Sequence, residues 1–293
     1  MIGLSIQNKI NMKKLFTLLF AAALTQANAQ IAVVVTEGED VLAGKVQNAM
    51  TITVYNGDAD NVTKAWKKQL KDLKGKITAK EELFADDCKL EAMGANTFDL
   101  YSKTRAVEGL GCNLVTSIDL GGAYLNSTDH AEQFKVMRDL VYAFGVEQNK
   151  AVIQLEVNEH EKTLKSLQKE LASLEKKDKK MDEDITKNKT EISEAEMAKV
   201  ENLNARQAKS DAIIALEKIN SDDDALGKLR GERKFLEKDG KKLDGSVGSG
   251  KKKTTKLEEE KAENKVERES KTAEIAAQQT VVDKTKERKE AVK

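Results

Sequence analysis

Between Gly145 and Gly227 the chain contains neither glycine nor proline, and proline is missing from all 293 residues. Nothing in that stretch forces a helix to break, because glycine and proline are the two residues least tolerated in a helix interior. From Leu164 the side chains at alternating spacings of three and four are Leu164, Leu167, Leu171, Leu174, Met181, Ile185, Ile192 and Ala195, with Asp178 and Asn188 at the two remaining places. Ile153 and Val157 extend the register backward. A sustained heptad of this kind predicts a coiled coil, and the apolar positions are its seam. Asp178 and Asn188 leave two readings open. Polar seam residues fix register or partner number at some cost in stability, or these layers simply face water. Near Lys199 the stripe is expected to slip and resume at Val200 and Leu203.

The aromatic residues place the other half of the architecture. Tyr55, Trp66, Phe84, Phe98, Tyr101, Tyr124, Phe134, Tyr142 and Phe144 all precede residue 150, and Phe235 alone follows it. A packed core is therefore expected only over 30–150, a usual size for one domain. TITVYN (51–56) alternates and ends in a turn at Asn56-Gly57, and Asp58 or Asp60 can cap the helix carrying Val62, Trp66, Leu70 and Leu73. Segments 83–93, 97–103 and 112–120 also alternate and read as strands. IAVVVT (31–36) is a further candidate. A helix bearing Phe134, Met137, Val141 and Phe144 then runs into the heptads. The predicted class is α+β: a small sheet-plus-helix domain followed by a long α-helical coiled coil.

Residues 12–29 carry Lys13 and Lys14, an apolar run from Leu15 to Leu24 and the small-x-small site Ala27-Asn28-Ala29. That is the pattern of a bacterial secretory signal peptide, with Met12 the expected start, and the run is too short to span a bilayer. The expected location is the periplasm or cell envelope, with no transmembrane span in the mature chain. Basic and acidic residues balance at 50 each and aromatics make up 4%. Nucleic-acid binding surfaces carry basic excess and stacking aromatics, so no nucleic-acid partner is expected.

Residues 245–252 read GSVGSGKK, one residue short of a phosphate-binding loop, with Lys252 where a hydroxyl residue should hold magnesium. No buried strand precedes it. The stretch 244–255 is read instead as a Gly/Ser/Lys hinge between coiled-coil helices at 151–243 and a charged C-terminal helix at 256–293. Ser221 to Asp224 mark a helix restart, with Ser221 as cap. The coil is then either a parallel dimer or an antiparallel hairpin folded at the hinge.

Cys88 and Cys112 both fall on inward strand faces. An oxidising compartment allows a disulfide between them, and plain core packing is the competing expectation. His130 and His160 lack second ligands at metal spacing, NGDADN (56–61) departs from a calcium loop, and no G-x-S-x-G occurs. No catalytic, metal or cofactor site is expected. The stretches NVTKAWKKQLKDLKGK (61–76), IDLGGAYL (118–125) and EKTLKSLQKELASLEKKDKKM (161–181) resemble a loose group of exported Bacteroidetes proteins with α+β and coiled-coil parts. The resemblance covers roughly residues 50–190; it implies export and carries no assigned activity. The expected function is a non-enzymatic structural or adaptor protein, whose head docks a partner and whose coil self-associates or acts as a spacer. A ligand-binding head with a coiled-coil dimeriser is the alternative, and a hydrolase the third.

Overall fold

The structure, a computed structural model, describes residues 31–219 and 223–293. The expected signal peptide at 12–29 and the capping Ser221 lie outside the described residues. Among the described residues two strands come first, β1 (Thr36–Leu42) and β2 (Lys45–Tyr55), followed by helix α1 (Ala59–Asp72). Strands β3 (Lys76–Ala79), β4 (Leu83–Cys88), β5 (Phe98–Val107) and β6 (Gly111–Asp119) come next, and the long helices α2 (Ala131–Lys218) and α3 (Asp223–Glu290) complete it. The strands form one antiparallel sheet in the order β1-β2-β6-β5-β4-β3. This is an α+β fold followed in sequence by two long helices.

Residues 31–164 together with Ala277–Lys293 make one compact unit, and Lys165–Ala276 make a second. In the first, alternate strand residues face the helices: Met50, Ile52 and Val54 from β2, Leu100 from β5, Leu114 and Ile118 from β6. Val62, Trp66 and Leu70 of α1 meet them, as do Phe134, Met137, Val141 and Phe144 of α2. Asp58 caps α1, its side chain accepting the Asn61 N–H at 2.9 Å. Trp66 joins three elements. Its ring meets Phe144 edge-on at 4.8 Å, and its Nε1 donates to Ser102 Oγ at 2.8 Å, which in turn bonds Thr116 across the sheet. A buried indole needs such a partner. Truncating Trp66 to alanine would cost about 3–5 kcal/mol.

Helix α2 is fixed to the sheet by one amide. Strand β1 ends at Thr36 opposite Thr51, so it does not reach the last residues of β2. There Asn149 takes its place: its Oδ1 accepts the Tyr55 N–H at 2.9 Å and its Nδ2 donates to the Thr53 carbonyl at 3.0 Å. Gly145, one turn earlier, lets the helix approach, since a Cβ there would lie 2.9 Å from Val33 Cγ1. The end of the chain also belongs to this unit. Val292 packs with Val33 and Ile153, and the Val33 N–H donates to the Lys293 carbonyl at 2.7 Å.

In the second unit α2 and α3 pair antiparallel. Ion pairs join Asp178 to Arg268, Lys189 to Glu258, Glu196 to Lys251, Lys209 to Glu232 and Glu217 to Arg230, so partner numbers fall as the α2 number rises. Helix α2 ends at Lys218 and α3 begins at Asp223. Residues 244–255 are therefore no hinge: they lie in the interior of α3. Of the glycines that suggested a loop, Gly250 serves the helix pair, as does Gly240 before them. A Cβ at Gly250 would sit 2.7 Å from Ile192 Cγ1, and one at Gly240 would sit 2.9 Å from Asn202 Oδ1. Glycine at these two positions lets the helices close together where a larger residue would hold them apart. The N–H groups of 245–252 are spent on the helix, which removes the phosphate-loop reading on geometric grounds.

Other expectations change at the margins. Residues 31–35 are not a strand; β1 begins at Thr36, and β2 begins six residues before the predicted segment. The stretch 89–93 leaves the sheet after Cys88 and makes a 3₁₀ turn at Glu91–Met93. The seam does not slip at Lys199. It continues in step through Asn202, Arg206, Lys209 and Ile213, while Val200 and Leu203 face out.

Because nothing lies within 4 Å of a Cβ added at Gly245 or Gly248, alanine at each should stabilise the protein by up to about 1 kcal/mol in denaturant unfolding. Gly250→Ala should instead destabilise it. A flexible loop at 244–255 would leave all three near neutral.

Candidate docking face and coiled-coil seam

One face of the sheet is covered by α1 and α2; the other carries the chemistry that the fold leaves in view. On β5 the residues pointing away from the core are Asp99, Tyr101, Lys103 and Arg105, and Phe84 stands beside Tyr101 on β4. The Phe84 and Tyr101 rings lie 4.8 Å apart. Strand β1 curls so that Leu42 is buried on this side with Ala49, Val115 and Tyr101. Charges hold that curl in place. Asp40 accepts from Arg105, and Lys103 lies 3.3 Å from Asp40 and 3.7 Å from Glu82. Glu82 also accepts the Ala43 N–H at 2.6 Å, and Lys103 donates to the Val41 carbonyl.

The electrostatics follow from these contacts. Burial by itself would raise the Asp40 pKa, but hydrogen bonds and charge from Arg105 and Lys103 outweigh it and hold the carboxyl below its ordinary value. Burial, followed by the carboxylates of Asp99 and Asp119, raises the Tyr101 hydroxyl. The result is a half-buried pair of rings, Phe84 and Tyr101, beside the buried Leu42, Ala49 and Val115 and edged by Asp99, Lys103, Arg105 and Glu82. Such a mixed surface suits recognition of a protein partner, where aromatic and arginine residues carry most contact energy.

The two cysteines are free thiols, both buried. Strand β5 separates them: Cys88 faces Phe98, whereas Cys112 faces Ala106 eight residues further along β5. Two strand spacings of about 4.8 Å and roughly 26 Å along the strand put them far beyond disulfide reach. The allowed bridge is therefore not made, and both side chains fill the core. Burial pushes the Cys88 thiol up to about 11, with Asp99, Asp86 and Asp87 adding to it. Burial also raises Cys112.

The seam residues sit on the inner face of α2. Leu164 is buried in the first unit; in the second, Met181 and Ile185 are buried and Leu167, Leu171, Leu174 and Ile192 half-buried. Between them lie polar layers that bond across the helix pair. Asn188, 3% exposed, donates to the Gly250 carbonyl at 2.8 Å and to Thr254 Oγ1 at 2.7 Å. Asn264 reaches from α3 to the Leu174 carbonyl at 3.1 Å beside the Asp178–Arg268 pair, and Asn202 donates to Asp239 at 3.2 Å. In the first unit Gln278 donates to the His160 carbonyl. Asp178 and Asn188 thus pair across the helices rather than face water. Open grooves run beside these layers, one of about 670 Å³ flanked by Leu171, Asp178, Lys261 and Arg268.

No helix among the described residues is long and apolar enough to cross a membrane. Compared with protein-family models, with curated proteins and with solved structures, the chain matches none.

Two measurements check this site. The intact protein should show no mass change on reduction, and both thiols should resist alkylation at neutral pH until it unfolds. The folded Asp40 pKa is depressed, so its contribution to stability is whole above the ordinary aspartate value of about 4. That contribution drains away as pH falls through the lower folded value. Hydrogen-exchange protection of the β1 amides should therefore drop in that acid window, and Asp40→Asn should flatten the dependence.

Proposed function

We propose that the protein is a non-catalytic structural or adaptor protein of the bacterial cell envelope, exported through the segment 12–29. In this reading the α+β unit docks a protein partner through the uncovered sheet face, and the α2–α3 hairpin is a spacer. The observation that carries it is the pairing of α2 with α3 of the same chain. A seam closed by its own chain, through Asn188, Gly250 and Thr254, needs no second chain to be stable. The coil then has no reason to be a dimeriser through its seam, which departs from the simplest reading of heptads. What it supplies is a stiff element that stands on its own pairing. The half-buried rings of Phe84 and Tyr101, with the exposed Arg105 beside them, support docking by the head.

A photo-crosslinking residue at position 101, with capture from native cells by antibody, tests this reading. A defined envelope protein, lost when Arg105→Glu reverses the adjacent charge, is the expected result. Adducts confined to small molecules would point to a ligand-binding head instead, and no adduct at 101 would remove this face as a docking site.

A further inference from the structure

The outer face of α2 changes character partway along. Before residue 190, heptad positions turned away from α3 carry side chains such as Lys165, Lys169, Glu175, Lys179 and Glu183. From 197 to 214 the same positions carry Met197, Val200, Leu203, Gln207 and Ile214, with Asp211 among them and the exposed Glu201 beside Val200. Met197, Val200, Leu203 and Ile214 are 59%, 59%, 60% and 51% exposed. They do not belong to the seam, which α3 already fills. An apolar face this open on a paired helix marks an association surface.

Its pattern identifies the occupant. Val200, Gln207 and Ile214 stand seven residues apart on one line of the helix, branched apolar at both ends and an amide at the centre. The order reads alike in both directions, so a two-fold contact centred on Gln207 sets branched apolar side chains against each other at both ends. Laid antiparallel about Gln207, two such helices set Val200 against Ile214 of the second copy at both ends and bring the two Gln207 side chains together, each already donating to Asp211 of its own helix at 2.9 Å. The charges agree with that register. Glu196, which already binds Lys251 in its own chain, comes opposite Lys218, and Asp211 comes opposite Leu203 and Asn204 rather than another acid. A parallel arrangement would stack Asp211 on Asp211 and Glu196 on Glu196, which like-charge repulsion opposes.

We propose that this face binds a second copy of the chain, α2 against α2 in antiparallel two-fold contact centred on Gln207. The hairpin seam stays intact within each chain. The inference goes beyond the adaptor reading and stands whatever partner the head takes, because it concerns the purified protein alone.

Sedimentation equilibrium of the full mature chain up to about 100 µM tests it. The unaltered protein should dimerise. Val200→Glu with Ile214→Glu should weaken the dimer by on the order of a hundredfold, since buried unpaired charge is costly. At concentrations where the protein is monomeric the melting temperature should barely move, because both side chains are largely exposed there. Val200→Ser with Ile214→Ser reads the same contact more gently should the glutamates disturb the helix. Gln207→Cys should couple to its twin through a short bis-maleimide, and Lys179→Cys should not. A monomer at the highest concentration, a dimer indifferent to both variant pairs, or equal coupling at 179 would each overturn the proposal.

Discussion

Asn188 is a polar residue at the centre of an apolar seam, and the arrangement of the helical unit depends on it. Its amide is buried, and burying an amide without partners costs several kcal/mol. The partners exist in only one alignment of α2 and α3, the one that brings the Gly250 carbonyl and Thr254 hydroxyl to its side. Sliding either helix by a turn would leave the amide unbonded and drive Ile192 against a residue larger than glycine. Asn202 and Asn264 repeat the argument further along, each with its own acceptors. The seam gives up some apolar burial at each of these layers, and it gains a single register.

The same device appears where α2 meets the sheet. Asn149 acts as a short extra strand for the end of β2, so that one helix is located by side-chain amides both in the α+β unit and in the hairpin. On the proposed reading, recognition falls to two surfaces outside the main core and the seam. These are the sheet face around Tyr101 and the outward line of α2 from Met197 to Ile214. Both are apolar patches edged by charge, the composition expected of protein–protein contacts.

The heptad up to Ala195 was legible because leucine, methionine and isoleucine occupy it, and spacing alone then identifies the buried face. Past that point the seam passes through Asn202, Arg206 and Lys209 while Val200 and Leu203 turn outward, so an apolar pattern points to the wrong side. Helix α3 was harder still. Its buried line holds Gly240, Gly250, Thr254, Asn264, Gln278 and Thr285, residues that read as loop or solvated face until a partner helix supplies their contacts. Glycine signals a turn in isolation and close approach in a pair, and only the neighbour decides which. In the α+β unit the alternating runs, the Asp58 cap and the Trp66 stripe were readable. Strand β1 was not, because TEGEDVL is nearly all exposed and buries only Leu42. The cysteines share a face but not a neighbourhood, which alternation cannot distinguish.

The central claim is that α2 and α3 close on each other within one chain. Spin labels at Lys187→Cys and Lys256→Cys, in a chain carrying Cys88→Ala and Cys112→Ala and diluted with unlabelled protein, measure it directly. The two sites lie near the Lys189–Glu258 pair. With helix axes about 8–10 Å apart, the labels should couple at less than about 25 Å. A reversal at 244–255, or a parallel dimer of extended helices, would separate them within one chain by more than about 80 Å. Loss of all short distances on dilution would contradict the account.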